Sequence, residues 1–275
     1  MILESKAELA GRVKLQISGG ERGTIDYPWQ DNMILDQGLI YFLTDNSNTD
    51  SGLSRAAVGA SSEPVVATQT QLLARIADTS LSITHGWDSA GEFGWSRGVG
   101  SFARGAAAGN ISELSTGTSA TFACARALVR DVEGNPATIT VLEDEVLTIT
   151  WEFRRWWTVA PSHVIDYTID GVPHSTTVSY MPLSKIPKGK DALGSAGVNG
   201  WSGVLIGGFT AEHTITYSES SGNPQISSVS TPQINNGFPA FPTVANYATF
   251  TPPIPKTNEF TCAIVLRLTL ARRNP

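Results

Sequence analysis

The pentapeptide Gly94-Trp95-Ser96-Arg97-Gly98 has the G-x-S-x-G spacing of a hydrolase nucleophile elbow, in which a sharp strand-to-helix turn lifts a serine hydroxyl toward an acyl carbon. The residues that follow, Val99 to Gly105, add two glycines and no helical stripe, so the segment is expected to be a turn between strands. Gly98-x-Gly100-x-x-Ala103 has the outline of a dinucleotide fingerprint, but no β-α-β pattern surrounds it. Glu143, Asp144 and Glu145 supply carboxylates of the kind that glycoside hydrolysis needs on either side of the scissile bond. Adjacent residues at a strand connection point in different directions, and the expectation is a solvated turn. His85, His163, His174 and His213 show no His-x-His or i, i+4 spacing that would preset a metal site. No catalytic residue, metal or cofactor is therefore expected, and the chain is not read as an enzyme.

The densest chemical grouping is aromatic and basic: Trp151, Phe153, Trp156 and Trp157 interleaved with Arg154 and Arg155. In strand geometry Trp151, Phe153 and Arg155 share one face, and Arg154 and Trp156 the other. Trp151 and Phe153 are expected in the core. Trp and Arg dominate interface hot spots, which makes Arg154, Trp156 and Trp157, with Trp201, the candidate contacts to another subunit or to a glycan.

The elements that must position these residues are mostly strands. Val13, Leu15 and Ile17 alternate with polar neighbours as a half-buried strand does. Leu35, Leu39, Phe42 and Leu43 predict a short helix with Asp36 as its N-cap, and Thr70 to Ile76 one or two more helical turns capped by Thr68. The turn signals Glu133-Gly134-Asn135-Pro136 and Glu143-Asp144-Glu145 predict a meander of three strands ending at Phe153. Asp170-Gly171 predicts a hairpin, with Pro173 demanding an edge position. Residues 260 to 270 alternate strictly, as a strand returning to a sheet built earlier. The fold class expected is mainly β, an antiparallel β-sandwich or jelly-roll-like domain with one or two short helices and long loops. Its parts are an arm at 1–11, a β-rich core at 12–157, a loop-rich excursion at 158–255 packing on the core or on neighbours, and the returning strand at 256–275.

With 275 residues the chain can bury a large core, while only 16% of them are charged, so much of the surface must be neutral and polar. Such surface often faces other subunits. A net charge of −6 disfavours a phosphate-backbone partner, which requires clustered Lys and Arg. Cys124 and Cys262 lie in apolar runs and read as buried thiols; a bridge between them requires neighbouring strands. Met1 to Lys6 lacks a basic segment followed by an apolar run, and no stretch has the length of a membrane span, so a cytoplasmic origin without membrane insertion is expected.

Several ordered motifs resemble a family of tail fibre or minor tail structural proteins from tailed bacteriophages. They are Asn32 to Leu39, Val58-Gly59, Pro64 with Thr68 to Leu72, Phe102 to Gly105, Gly109 to Leu114, Arg126 to Asp131, Gly134 to Pro136, Ile139 to Val141, and Glu145 to Arg154. The resemblance implies a virion structural protein, with tail or neck proteins as partners and a place on the external particle surface. Low charge and long polar loops add copies of the chain itself as partners, three for a fibre. The alternatives are a collar, neck or capsid-surface protein, and a receptor module for host cell-surface glycan.

Overall fold

The computed structural model describes residues 2–44, 51–158, 161–181, 204–217, 225–230, 247–255 and 262–273. Its elements begin with β1 (Ile2–Gly19), β2 (Ile25–Asp26), β3 (Gln30–Ile34), α1 (Asp36–Thr44), β4 (Arg55–Gly59), β5 (Arg75–Ser80) and β6 (Ser82–Asp88). They continue with β7 (Phe93–Ser101), β8 (Gly109–Ile111), β9 (Glu113–Ser119), β10 (Phe122–Leu128), β11 (Ile139–Val141), β12 (Glu145–Thr158), β13 (His163–Ile169) and β14 (Val172–Met181). The last are β15 (Val204–Gly207), β16 (Thr210–Tyr217), β17 (Gln225–Ser230), β18 (Tyr247–Pro255) and β19 (Cys262–Arg272). The chain is mainly β, and among the described residues it has several sheets and one short α-helix, in keeping with a sandwich-like class.

The alternation seen at Val13, Leu15 and Ile17 extends upstream through Ala7 and Leu9, and all five side chains are buried. Residues 1–11, expected as an arm, therefore form the first half of β1 from Ile2 onward. They are held there because both edges of the strand are paired. β12 runs antiparallel along Lys6 to Gly19, while β19 runs parallel to Ile2 to Leu9 on the other side. Beyond that point β3 and β2 take over the second edge.

β3 joins two layers. Gln30 to Asn32 pair with β1, whereas Met33 and Ile34 pair with β10, which leads through β9 and β4 to β5. On the β1 side, β12 continues to β7 and β6, and β19 to β16 and β15. Buried residues of both layers, among them Leu15, Ile149, Trp151, Val58, Leu114 and Ala125, form one core. Burying each large apolar side chain contributes about 1.5–3 kcal/mol.

Helix α1 closes one side of this core with Leu39, Phe42 and Leu43, all buried, and Phe42 meets Phe153 edge-to-face at 5.5 Å. The carbonyl of Leu35 accepts the first helical bond from Leu39, so Asp36 is the first helical residue rather than the cap. Its N–H donates to Ala67 O at 2.8 Å, and its carboxylate pairs with Arg272. The helical turns expected at 70–76 are absent. Thr70 O accepts from Ala123 N and from the Gln37 amide, so this carbonyl is spent on other elements instead of on residue i+4, and the chain runs into β5.

The expected meander is also replaced. β10 pairs with β9 and β3, β11 with β8, and β12 with β1 and β7. The turn at 131–135 does form: Asp131 Oδ1 accepts from the N–H groups of Glu133 and Asn135, and the Asn135 bond holds its carboxyl below the usual range. Asp170 (φ 51°) and Gly171 (φ 76°) make the two-residue turn of the β13–β14 hairpin, both in the left-handed region such a turn requires. β14 is not an edge strand, since β18 pairs its other side. Pro173 escapes conflict because that pairing covers only Thr177 to Met181.

The described residues between 161 and 255 are largely strand. β13, β14, β18 and β17 form a sheet in that order, and β15 and β16 extend the main sheet beyond β19. The threonines of this segment suit strands, because β-branched side chains pack on a pleated surface. Cys124 is buried in β10 between β3 and β9, while Cys262 lies in β19 between β1 and β16, so their strands are not neighbours.

Candidate functional site

The outer face of β1, β12, β7 and β6 carries the principal concentration of basic and aromatic chemistry among the described residues. Register sets it in cross-strand rows. Arg12, Glu152, Arg97 and Thr84 form one; Ala10, Arg154, Trp95 and Gly86 the next; Lys14, Thr150, Val99 and Ser82 flank the first on its other side. Small residues make room for large ones. A Cβ on Gly86 would lie within 2.8 Å of three atoms of the Trp95 ring, so the indole occupies the space that a side chain there would fill.

Glu152 is the hub of this face, its side chain only 2% exposed. Its Oε1 accepts from Arg12 Nε at 2.9 Å and Arg154 Nε at 2.8 Å, and its Oε2 from Arg97 Nε at 2.9 Å. Burial pushes its carboxyl up, but the bonds from Arg97, Arg154 and Arg12 prevail and hold it below the usual range. A lowered folded value means that ionised Glu152 contributes stability above its unfolded pKa, about 4.3, and that the contribution is lost as pH falls through the folded value. Glu152→Gln is expected to cost about 2 kcal/mol at pH 7 by urea unfolding, with the gap to the unaltered chain closing as pH falls below the usual carboxylate range. A gap independent of pH would contradict this account.

Each guanidinium also faces a ring. Arg12 lies 4.1 Å from the Trp29 centroid, Arg97 4.8 Å from Trp95, and Arg154 4.8 Å from Phe93. Trp156 donates from Nε1 to Gly91 O at 3.1 Å, meets the Phe93 ring at 5.0 Å, and lies under Arg273 at 4.3 Å. Of the four sequence candidates, Arg154 and Trp156 thus belong to one constellation. Trp157 pairs with Ala7 in the β1–β12 ladder, its side chain lying outside the described set, and Trp201 lies outside the described residues. Arg12, Lys14, Trp29, Trp95, Arg97 and Glu152 were missed by sequence reasoning. Alternation within each strand marks all but Trp29, which precedes β3, as outward, but only register brings them together.

On the inner face, Trp151 and Phe153 are fully buried. Arg155 is buried beside them, and burial lowers its guanidinium to about 9.

The segment Gly94 to Gly98 lies within β7 rather than at a turn. Ser96 is fully buried in mid-strand, opposite His85, whose Nδ1 is 2.8 Å from the serine Oγ. A strand-to-helix elbow is therefore not the setting of this serine. In the acidic turn Glu143 and Asp144 are exposed, but Glu145 is buried. Its carboxylate takes Arg22 Nε at 2.7 Å, and that bond holds it below the usual range. Among the described residues no three metal-ligating side chains converge. An open groove of about 360 Å³ runs along the β13–β14 hairpin, lined by Asp166, Tyr167, Thr168, Pro173, His174 and Ser175, with Tyr167 and His174 stacked at 5.5 Å. Comparison with family models, with curated proteins and with solved structures finds no match to this chain.

Proposed function

We propose that this chain is a structural protein of a tailed-bacteriophage particle, a homo-oligomeric tail fibre or tail-associated component that assembles with tail or neck proteins and serves host attachment. The observation that supports this reading is where the motifs of the resemblance lie in the fold. Pieces far apart in sequence meet as its joints. Arg126 Nε donates to Glu113 Oε2 at 3.0 Å, and Arg126 Nη1 to Pro64 O at 3.3 Å and Gln69 Oε1 at 3.0 Å. Gln37 Nε2 donates to Thr70 O at 2.6 Å, Ser112 N to Gly59 O at 2.8 Å, and Phe102 N to Leu147 O at 2.9 Å. A shared set of joints is what a common scaffold requires, whatever its outer surfaces do.

The test is immunogold labelling of intact particles together with mass measurement of the purified chain. Label on the tail and a closed oligomer, three copies for a fibre, are expected. A stable monomer absent from particles would overturn the reading, and label on the head or collar would move it to a decoration protein.

A further inference from the structure

We infer that the core contains a water-binding site between β3 and β12, formed by Gln30, Asn32 and Trp151, in which enclosed water joins these two strands across β1. The inference goes beyond the structural reading above and does not depend on it.

Four buried polar atoms stand unpaired in this part of the core. Gln30 is 7% exposed and Trp151 fully buried, yet Gln30 Oε1 and Trp151 Nε1 have no hydrogen-bond partner among the described residues. The same holds for Oδ1 and Nδ2 of Asn32, both shielded from solvent. Buried polar groups are paired as a rule, with protein or with ordered water. Leaving one unpaired costs at least what a typical hydrogen bond contributes, and four left so would consume much of the small net stability of a domain.

Register brings these atoms to one place. Val13 pairs with Gln30 on one side and Trp151 on the other, and Gly11 pairs with Asn32 and Phe153. Residues opposite one another share a face, and this is the inner one, since Val13, Trp151 and Phe153 are all buried. β3 and β12 stand two strand spacings apart, about 9.6 Å, over a central strand that contributes only a valine and a glycine to the two rows. The short side chains of β1 thus lie between the long ones of its neighbours. Asn32 reaches across: a Cβ on Gly11 would lie 2.4 Å from its Oδ1 and 2.9 Å from its Nδ2 and from Phe153 Cδ1. Its amide therefore lies over Gly11, beside the Phe153 ring.

The chemistry of the set selects water. Two neutral acceptors and two neutral donors suit a molecule that donates and accepts at once, and a buried water makes about three such bonds. Neither row contains a carboxylate, which a metal cation would require in the interior. The next row, Leu15 with Ile149, is buried, and Phe42 of α1 packs on Phe153, so the site lies inside the core and suits a small molecule. Water held there ties β3, where it passes between the two layers, to the strand that carries Glu152.

The experiment is nitrogen-15-resolved nuclear Overhauser and rotating-frame spectroscopy of the full chain, reading magnetisation transfer from water to the Trp151 indole N–H. That signal is identified by its loss in Trp151→Phe. Transfer of opposite sign in the two spectra, the mark of a held rather than a passing water, is expected in the unaltered chain. Gln30→Met/Asn32→Leu removes three of the four polar atoms, and loss of the transfer is expected while the other indole signals keep their positions. Should the double variant fold poorly, Gln30→Met alone is the second variant; it keeps the length of the side chain, removes one acceptor and is expected to weaken the transfer. Absence of held water at the Trp151 indole of the unaltered chain would overturn the inference, as direct bonding of the indole to either amide would produce. Unchanged transfer in a folded variant would overturn it equally, because the two amides would then not be holding the water. Particle labelling bears on neither result, so this inference and the structural reading stand or fall separately.

Discussion

Replacing Arg126 with Met is expected to lower stability by about 3–5 kcal/mol, because it strands the Glu113 carboxylate in the interior. Both side chains are fully buried. Glu113 also accepts the N–H groups of Ala74 at 2.6 Å and Leu73 at 3.1 Å, and Arg126 also reaches the carbonyls of Glu63 and Pro64. One ion pair therefore anchors the connection from β4 to β5 against β9 and β10. Urea unfolding should show a lower midpoint with unchanged slope, and limited proteolysis should cut first between 60 and 74. The double variant Arg126→Met/Glu113→Leu is expected to recover much of the loss, since apolar replacement of a buried pair is often near neutral. A loss below about 1 kcal/mol in the single variant would show that the pair is not an anchor.

Gly38→Ala is expected to destabilise by about 3 kcal/mol or more, against the gain of about 1 kcal/mol that the same change brings in an unencumbered helix. The reason is proximity to backbone. A Cβ on Gly38 would lie within 2.9 Å of three backbone atoms of Cys124, which cannot step aside as a flexible side chain would. The helix must then lift from β10, breaking the bond from Leu35 N to Cys124 O (2.9 Å) and the Gln37 bond to Ala123 O (2.6 Å). Thermal and urea unfolding measure the sign directly. A more stable Gly38→Ala chain would refute the close approach of α1 to β10.

Periodicity made much of this fold legible. The alternation of Val13, Leu15 and Ile17 and the helical stripe Leu39, Phe42 and Leu43 each depend on burial of one face, which a single segment reports by itself. The Asp170-Gly171 turn was legible for a similar reason, since its positive φ angles are a local demand. Pairing was not. That β11 lies beside β8, or that β3 passes between two layers, depends on partners remote in sequence. The stripe at Thr70, Leu72, Leu73 and Ile76 misled because only Leu72 is buried, Leu73 and Ile76 face solvent, and the backbone nearby serves β10 and α1. The candidate site divides in the same way. Arg154 and Trp156 were visible as the outward set of one strand, whereas Arg12 and Arg97 join them only through the ladders on either side of β12.

The position of β1 governs the order in which the chain can acquire its structure. β12 reaches β1 only after more than a hundred intervening residues, and Arg273 bonds Glu8 across a separation of 265. A ribosome adds about 5–20 residues per second, so the edge that β12 covers stays open for many seconds before β12 exists, although β2 and β3 follow β1 closely on its other edge. Long-range pairing of this kind carries a large loop-closure cost and slows folding. The charges at Glu4, Lys6, Glu8, Arg12 and Lys14 alternate along one side of the waiting strand, and they are the residues that discourage pairing with the wrong chain in that interval.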